Sequence, residues 1–249
     1  MKLTVTVITF NEAAHISAAL DSVAWADEIV VVDSGSTDGT VDIARTKATR
    51  VIVREWPGYS AQKNFAADRA SHDWVLSMDA DERVSAALAS EIRTVLSGSP
   101  VWRGYRIRRV THYLGQWIRS TDWFPDYQLR LYDRRAGRWN GRRIHESFHL
   151  SDGAPGTLHG EMEHYAYRDI AHHVEKINLY TTLIADEWHD AGRQTTAVQI
   201  VMQPCFAFLR NYVLRGGIRQ GTTGLIVSLL NSYYVYLKFA KLWERQRRG

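Results

Sequence analysis

The sequence contains little that could crosslink the chain or carry it out of the cell. Cys205 is the only cysteine among 249 residues, so an internal disulfide is impossible and a reducing compartment is expected. After Lys2 the apolar run reaches only Phe10 before Asn11 and Glu12 follow, which is too short for the core of a secretory signal. We therefore expect a cytoplasmic protein and not a secreted, disulfide-bonded one.

Long hydrophobic runs are absent as well. Residues 225–237 are apolar, but Ser228, Asn231 and Ser232 interrupt them and Lys238 follows. A membrane-spanning helix needs about 20 apolar residues, so none is predicted here. Tyrosine, tryptophan and basic residues in this region instead favour an interfacial helix that lies on a membrane. Packing of the same helix against the protein core is the alternative.

Positive charge is concentrated in two parts of the chain. Residues 101–145 hold eleven arginines against three acids, and residues 201–249 hold eight lysines and arginines against one acid. This asymmetry predicts an anionic partner, such as a nucleotide diphosphate, an acidic glycolipid or an anionic membrane surface. Because no nucleic-acid-binding module is visible, nucleic acid is not expected as a partner. A solvated basic surface is the simpler alternative.

The first hundred residues alternate between short apolar runs and helical patterns. Strands are predicted at 3–10, 28–33, 50–55 and 74–79, and helices at 12–22, 40–48, 62–70 and 84–96. Unbroken apolar strands separated by helices are typical of an open, Rossmann-like α/β sheet covered on both faces. Strands at 105–114 and 127–133 are predicted as antiparallel additions. Helices at 170–191, 195–214 and 225–245 complete the pattern.

Polar residues follow three of the predicted strands at their carboxyl ends, where open α/β sheets bind ligands. Asp79 and Asp81 end the fourth strand, and in an extended chain their carboxylates point the same way and can bind one hard cation. Such a cation would bridge diphosphate oxygens. Asp33 ends the second strand and can accept from the N–H of a pyrimidine base. A structural role is the alternative for both loops. Asp38 could form an Asx turn and cap the next helix, and Asp81 could cap the helix that follows it.

Four motifs occur in order within residues 3–96: VITFNE at 7–12, VVDSGSTDGT at 31–40, QKN at 62–64 and MDADE at 78–82. Together they resemble the family 2 glycosyltransferases, which have the GT-A fold. The resemblance implies an inverting transferase with a UDP-sugar or similar donor and Mg²⁺ or Mn²⁺ as cofactor. The nucleotide-sugar-binding residues it implies are Thr9, Asn11, Glu12, Asp33, Lys63 and Asp79. The metal ligands it implies are Asp81 and Asp79.

Later motifs are WFPDYQLRLY at 123–132 and IHES at 144–147. They resemble the lipopolysaccharide-core β-glucosyltransferases, a subgroup that also has a C-terminal helical tail. This implies transfer of a hexose, glucose in that subgroup, to a hydroxyl of a glycolipid or core saccharide at the inner face of the membrane. It also implies a nucleotide-sugar-binding half at 1–100, an acceptor-side half at 101–168 and a helical extension at 169–249. Transfer to polyprenyl phosphate is the alternative.

An inverting displacement needs a base that takes the proton of the acceptor hydroxyl. In the family this base is an Asp or Glu that follows the metal motif, although the Glu-Asp pair of many members is missing here. Glu146 is the first candidate and Asp126 the second. His145 is a candidate metal ligand or diphosphate contact.

The same segment matches another signature. His145-Glu146-X-X-His149 fits the zinc-hydrolase motif, which requires both histidines on one face of a helix. Gly141 precedes it and the loop-forming run 151–155 follows, so barely two helical turns are available. A zinc hydrolase is therefore a distant alternative.

Overall fold

Residues 1–141 and 146–248 are described in a computed structural model of the chain. The chain forms two compact units. The first contains Met1–Arg109 and Asp126–His164, and the second contains Val110–Pro125 and the region that begins at Tyr165. The predicted division into a nucleotide-sugar-binding half at 1–100, an acceptor-side half at 101–168 and a helical extension at 169–249 is a functional one, and it stays a prediction.

The first unit begins with the parallel half of a sheet. Its strands are β1 (Leu3–Thr9), β2 (Glu28–Asp33), β3 (Arg50–Val53) and β4 (Trp74–Asp79), and they lie side by side in the order β3-β2-β1-β4. All three pairings are parallel. Every residue of β1 and β2 is buried, including the threonines of β1, which explains why neither strand has an exposed polar face.

Four helices connect and cover these strands: α1 (Ile16–Asp21), α2 (Thr40–Arg45), α3 (Tyr59–Asp68) and α4 (Ala86–Ser97). Neighbouring residues of β2 enter two different clusters. Val31 packs with residues of α1, α2 and α4, whereas Val30 and Val32 pack with Ala66 of α3. The sheet is therefore covered on both faces, as predicted.

Antiparallel strands extend the same sheet beyond β4. They are β5 (Glu82–Val84), β6 (Gly104–Tyr113), β8 (Asp126–Asp133) and β11 (Gly156–His164), and the order continues β4-β8-β6-β11-β5. β8 is antiparallel to both β4 and β6. The predicted fold, an open α/β sheet of the GT-A type with antiparallel additions, is confirmed.

Two features of this region differ from the prediction. The fourth helix was expected from residue 84, but Val84 ends β5 and α4 begins at Ala86, with the Ser85 hydroxyl accepting from the Leu88 N–H at 3.2 Å. β11 was not predicted, because its sequence GTLHGEMEH has no apolar run. Two short strands, β9 (Gly137–Trp139) and β10 (Phe148–Leu150), form a separate antiparallel pair.

The second unit is mainly helical. β7 (Gln116–Ile118) pairs with the end of β6, and three helices follow: α5 (Ile170–Asp190), α6 (Ala197–Leu209) and α7 (Gly221–Arg248). A π-helical turn at Arg210–Leu214 and a 3₁₀ turn at Gly217–Gln220 separate the last two. Among residues 1–141 and 146–248, none of the helices has the length and hydrophobicity needed to cross a membrane.

Candidate active site

The loops that follow β1 and β2 are hydrogen-bonded to each other at the carboxyl edge of the sheet. The Asn11 N–H donates to the Ser36 hydroxyl at 2.7 Å, and the Thr37 N–H donates to the Asn11 side-chain oxygen at 2.9 Å. The Glu12 N–H donates to the hydroxyl of Thr40 at 2.8 Å. Asn11 itself has a φ of 53°, so the loop turns sharply at this point. These bonds fix the two loops as one surface.

Asp33 organises the second of these loops. One of its carboxylate oxygens accepts from the N–H groups of Gly35 and Ser36, both at 2.8 Å, and Gly35 has a φ of 90°. Asp33 therefore closes an Asx-type turn in which Gly35 adopts a positive φ. The Asx-type turn considered for Asp38 is present as well, because the Asp38 carboxylate accepts from the N–H of Thr40 at 3.1 Å. Asp33 is fully buried, and its contact with a nucleotide base stays a prediction.

Thr9 ends β1 beside these loops. Its residue is buried, and among the described residues its hydroxyl oxygen has no hydrogen-bond partner. A buried polar atom without a partner is costly, so it marks a place where a ligand or water can bond.

Asp79, at the end of β4, lies between two buried cations. The Lys63 ammonium is 3.0 Å from one carboxylate oxygen, and the guanidinium of Arg130 is 2.9 Å from the other. Burial alone would raise the pKa of Asp79, but the two cations outweigh burial and hold this pKa far below its usual range. Asp79 is therefore ionised at neutral pH.

The pairing continues in both directions from Asp79. Lys63 is also 3.0 Å from Glu146, Arg130 is 2.9 Å from Glu82, and Glu82 is 3.1 Å from Arg109. The Arg109 guanidinium then lies 2.7 Å from the carboxylate of Asp126. The result, here named the charge network, is the alternating series Glu146–Lys63–Asp79–Arg130–Glu82–Arg109–Asp126.

The charge network contains both candidate bases, one at each end, and three residues that sequence reasoning missed. These three are Glu82, Arg109 and Arg130. Arg130 was noticed only as part of a motif, although it comes from the middle of β8 and is buried. Two of its guanidinium nitrogens, Nε and Nη1, have no hydrogen-bond partner among the described residues. They remain able to donate to an anionic ligand.

Lys63 lies against three side chains of the protein. Its side chain is completely buried, and its ammonium lies 4.7 Å from the centre of the Trp139 ring as well as against the two carboxylates. Contact of Lys63 with the nucleotide stays a prediction. The structure shows that this lysine orders Asp79 and Glu146.

Asp81 lies in a two-residue turn between β4 and β5. The extended geometry expected for Asp79 and Asp81 is therefore wrong, because residues 80 and 81 leave the strand. Asp81 has a different neighbour: the Nε2 atom of His164 lies 3.5 Å from its carboxylate. His164 ends β11, where it pairs with Glu82 of β5. Since β11 was not predicted, this neighbour was missed.

The pair of Asp81 and His164 fits a divalent metal. An octahedral ion with ligands at about 2.1 Å places adjacent ligand atoms about 3 Å apart, close to the 3.5 Å between His164 Nε2 and the Asp81 oxygen. The described residues contain no group of three or more side chains suited to a metal. Two protein ligands are nevertheless enough where substrate phosphates and water supply the rest.

The two candidate bases differ in how firmly they are held. Both oxygens of Asp126 are engaged, one by Arg109 and the other by the Gln128 amide at 2.6 Å. Burial would raise the pKa of Asp126, but Arg109 lowers it below its usual range. Among the described residues Glu146 has one ion-pair partner, Lys63, and its side chain is 20% exposed.

The zinc-hydrolase alternative does not match the geometry. His149 lies on β10 and not on a helix, and its Nε2 atom is 2.8 Å from the Ser147 hydroxyl. Residues 146 and 147 belong to no helix or strand. His145, the other histidine of that motif and a predicted metal ligand, lies outside the described residues.

Comparison with known proteins identifies the family of the chain. Residues 4–140 match the family model for glycosyl transferase family 2. The chain is 30% identical to the lipopolysaccharide core biosynthesis glycosyltransferase LpsC of Rhizobium meliloti, over 98% of this chain and 93% of that protein. It is 32% identical to an uncharacterized glycosyltransferase of Rickettsia typhi, over 98% of this chain and 87% of the relative.

Among solved structures, the mannosyltransferase PcManGT of Pyrobaculum calidifontis, in complex with GDP-Man and Mn²⁺, superimposes with a TM-score of 0.55. The similarity covers 98% of this chain and 88% of that chain at 16% identity, and so it concerns the fold. With the family match over more than half of its length and a relative that aligns almost end to end, the chain belongs to glycosyltransferase family 2.

Proposed function

We propose that this glycosyltransferase moves a hexose from a UDP-sugar to a hydroxyl of a lipopolysaccharide-core saccharide or similar glycolipid, with inversion at the anomeric carbon. The observation that carries the proposal is the charge network, which connects both candidate bases with Asp79 at the substrate-binding edge of the sheet. The name of the Rhizobium relative supports the acceptor class.

In this proposal Asp81 and His164 hold Mg²⁺ or Mn²⁺. The imidazole ligand favours Mn²⁺, because Mg²⁺ prefers a shell made of oxygen atoms. The ion would neutralise diphosphate oxygens and so help the nucleotide to leave.

The joined loops after β1 and β2 would bind the nucleotide, with Thr9, Asn11, Glu12 and Asp33 as the contact residues. Their hydrogen bonds hold this surface in place before the donor arrives, which lowers the entropy lost on binding. The Thr9 hydroxyl, which has no hydrogen-bond partner among the described residues, offers a donor and an acceptor there. Asp33 would shape the loop and meet the base only at its edge, because it is fully buried.

Glu146 would act as the base and Asp126 is the second candidate. As the acceptor oxygen bonds to the anomeric carbon, the bond from that carbon to the diphosphate breaks and the hydroxyl proton passes to the base. Glu146 fits this role better, since Arg109 and Gln128 occupy both oxygens of Asp126. Lys63 would be a positioning residue that orients Glu146 through their ion pair.

Glu146→Gln and Asp126→Asn test the assignment, because each keeps the shape of the side chain and removes its basicity. A base contributes roughly 10²–10⁴ to the rate. We expect transfer by Glu146→Gln to fall by at least the lower of these factors, with UDP affinity unchanged within a few-fold. Product formation is measured by mass spectrometry with UDP-hexoses and GDP-mannose as donors. Normal transfer by Glu146→Gln together with loss in Asp126→Asn would assign the base to Asp126.

The same assay separates the two acceptor classes. A core saccharide gives a product with a new glycosidic bond to a sugar, whereas polyprenyl phosphate gives a phosphate-linked sugar that mild acid releases. We further propose that the enzyme works as a peripheral protein at the cytoplasmic face of the cell membrane, where a growing glycolipid would be presented.

A further inference from the structure

In the second unit, one helix presents apolar side chains to solvent. No residue of α6 is charged, and beyond its first residue, the exposed Ala197, its exposed apolar residues recur every three or four positions. They are Val198, Val201, Met202, Cys205, Phe206 and Leu209. At about 100° per residue they cover an arc of about 140°, and they are here named the α6 face.

The opposite side of α6 already has its packing partner. Pro204 and Ala207 are buried, and the Ser232 hydroxyl of α7 donates to the Pro204 carbonyl at 2.8 Å. The α6 face is therefore not needed for the core of the second unit. Met202 and Phe206 are 58% and 56% exposed, although burial of such side chains is strongly favourable. A continuous exposed apolar surface of this kind marks an interaction site.

The length of α6 restricts what can cover this surface. Thirteen residues give a helix of about 20 Å, shorter than the ~30 Å of a bilayer's hydrocarbon core. An apolar helix that cannot span a bilayer can still lie in its plane, with one face between the headgroups and the acyl chains.

Charge indicates which partner fits. No Asp or Glu occurs from residue 191 to residue 243, and Arg210, Arg215 and Arg219 follow the α6 face. Asp122 pairs with the first two of these arginines, so three cations meet one acid and two positive charges are in excess. Basic residues beside an apolar helix face are typical of binding to anionic lipid.

α5 provides the contrast within the same unit. Leu179 and Leu183 are 56% and 41% exposed and lie one helical turn apart. The exposed residues around them include four acids, Glu175, Asp186, Glu187 and Asp190. An anionic surface would repel these acids on α5. The α6 face and the exposed leucines of α5 are both apolar, and they differ in the charge of the residues around them.

We propose that the α6 face docks the protein on an anionic lipid bilayer. The inference extends the proposed peripheral location, on which it rests, and names the surface responsible. The sequence-based expectation for residues 225–245 stays a prediction. Their helix, α7, packs against both neighbours with Val227, Phe239 and Leu242 buried, whereas its Tyr233, Tyr236 and Trp243 are exposed.

Binding to vesicles tests the surface directly. The full chain is sedimented with vesicles of phosphatidylcholine alone or mixed with phosphatidylglycerol. We expect binding to the mixed vesicles that weakens with salt. Met202→Gln/Phe206→Gln should lower the partition coefficient by at least about tenfold for each residue. Leu179→Gln/Leu183→Gln, which removes two exposed apolar side chains from α5, should bind like the wild type.

The single cysteine supplies an independent measurement, because it lies on the α6 face. An environment-sensitive fluorophore on Cys205 should shift to the blue with mixed vesicles and be protected from an aqueous quencher. The control is Cys205→Ser/Leu183→Cys labelled on α5, which should show neither change.

Three results would overturn the proposal: no binding by the wild type, equal binding by Met202→Gln/Phe206→Gln, or a fluorophore on Cys205 that stays in water. Light scattering without lipid completes the test. A dimer that this double variant converts to monomer would make the α6 face a contact between two copies instead. UDP release with a soluble saccharide acceptor should be normal in the double variant, so failure of docking and failure of the proposed transfer are separate outcomes.

Discussion

Removal of the Lys63 ammonium gives the sharpest test of the charge network. In Lys63→Met the carboxylates of Asp79 and Glu146 lose a completely buried partner, and the stem of the side chain is kept. Breaking a buried pair on one side costs about 3–5 kcal/mol, because the remaining charge stays desolvated. At roughly 2–4 °C per kcal/mol for a chain of this size, Tm should fall by about 6–20 °C.

Lys47→Met is the matched control. Lys47 pairs with Asp21 at 2.5 Å, which is closer than the 3.0 Å between Lys63 and Asp79, but both side chains of this control pair are partly exposed. A surface pair contributes about 0–1 kcal/mol, so its loss should shift Tm only slightly. If the N–O distance alone determined how much an ion pair stabilises the protein, Lys47→Met would lower Tm more than Lys63→Met. Thermal unfolding followed by circular dichroism measures both variants.

A double-mutant cycle then separates the ion pair from packing. Glu146→Gln added to Lys63→Met removes one of the charges left without a partner. Part of the lost stability should therefore return, with a coupling energy above about 0.5 kcal/mol. Equal Tm values for Lys63→Met and Lys47→Met, or additive effects in the cycle, would refute a network that acts as a unit.

Two further predictions concern the metal and the second unit. Asp81→Asn and His164→Gln should each weaken Mn²⁺-dependent UDP binding in calorimetry at least tenfold, whereas Asp42→Asn on the exposed side of α2 should not. Burial lowers the pKa of His173 to about 4. The pKa of histidine in the unfolded chain is about 6.5, so between about pH 6.5 and pH 4 the folded state binds fewer protons than the unfolded state, and stability decreases as the pH is lowered. The free energy of unfolding measured with urea should therefore decrease by about 2 kcal/mol from pH 7 to pH 5. His173→Phe should not show this decrease.

The parallel half of the sheet could be predicted because each of its strands has a local signature. β1 and β2 are buried throughout and β4 is buried as far as Met78, so their sequences are rich in apolar residues and end at polar loops. β11 has no such signature, because only three of its nine residues are fully buried. A strand whose burial depends on neighbours distant in sequence cannot be recognised from its own pattern.

The candidate site was predictable in its parts but not in its pairings. Asp79 and Asp81 of the MDADE motif were selected as functional candidates and Glu82 was not, and the i, i+2 argument assumed an extended chain where a turn occurs. Asp81 and His164 are far apart in sequence, and only the antiparallel pairing of β11 with β5 brings them together. The partners of Asp79 likewise come from α3 and β8.

The helical region shows why hydrophobic sequence alone misplaces a surface. α6 is apolar except for Gln199 and Gln203 and carries no charge, a pattern that is typical of a buried helix as much as of one that touches lipid. α7 has the tyrosines, tryptophan and basic end of an interfacial helix, yet one of its sides fills the core of the second unit. Which side of an apolar helix is covered depends on how the helices pack, and this packing leaves Met202 and Phe206 of α6 exposed. Exposed apolar groups bind to any bilayer, whatever its charge. The charges beside them determine the preference for an anionic surface: the arginines after α6 are attracted to it, whereas the acids on α5 are repelled.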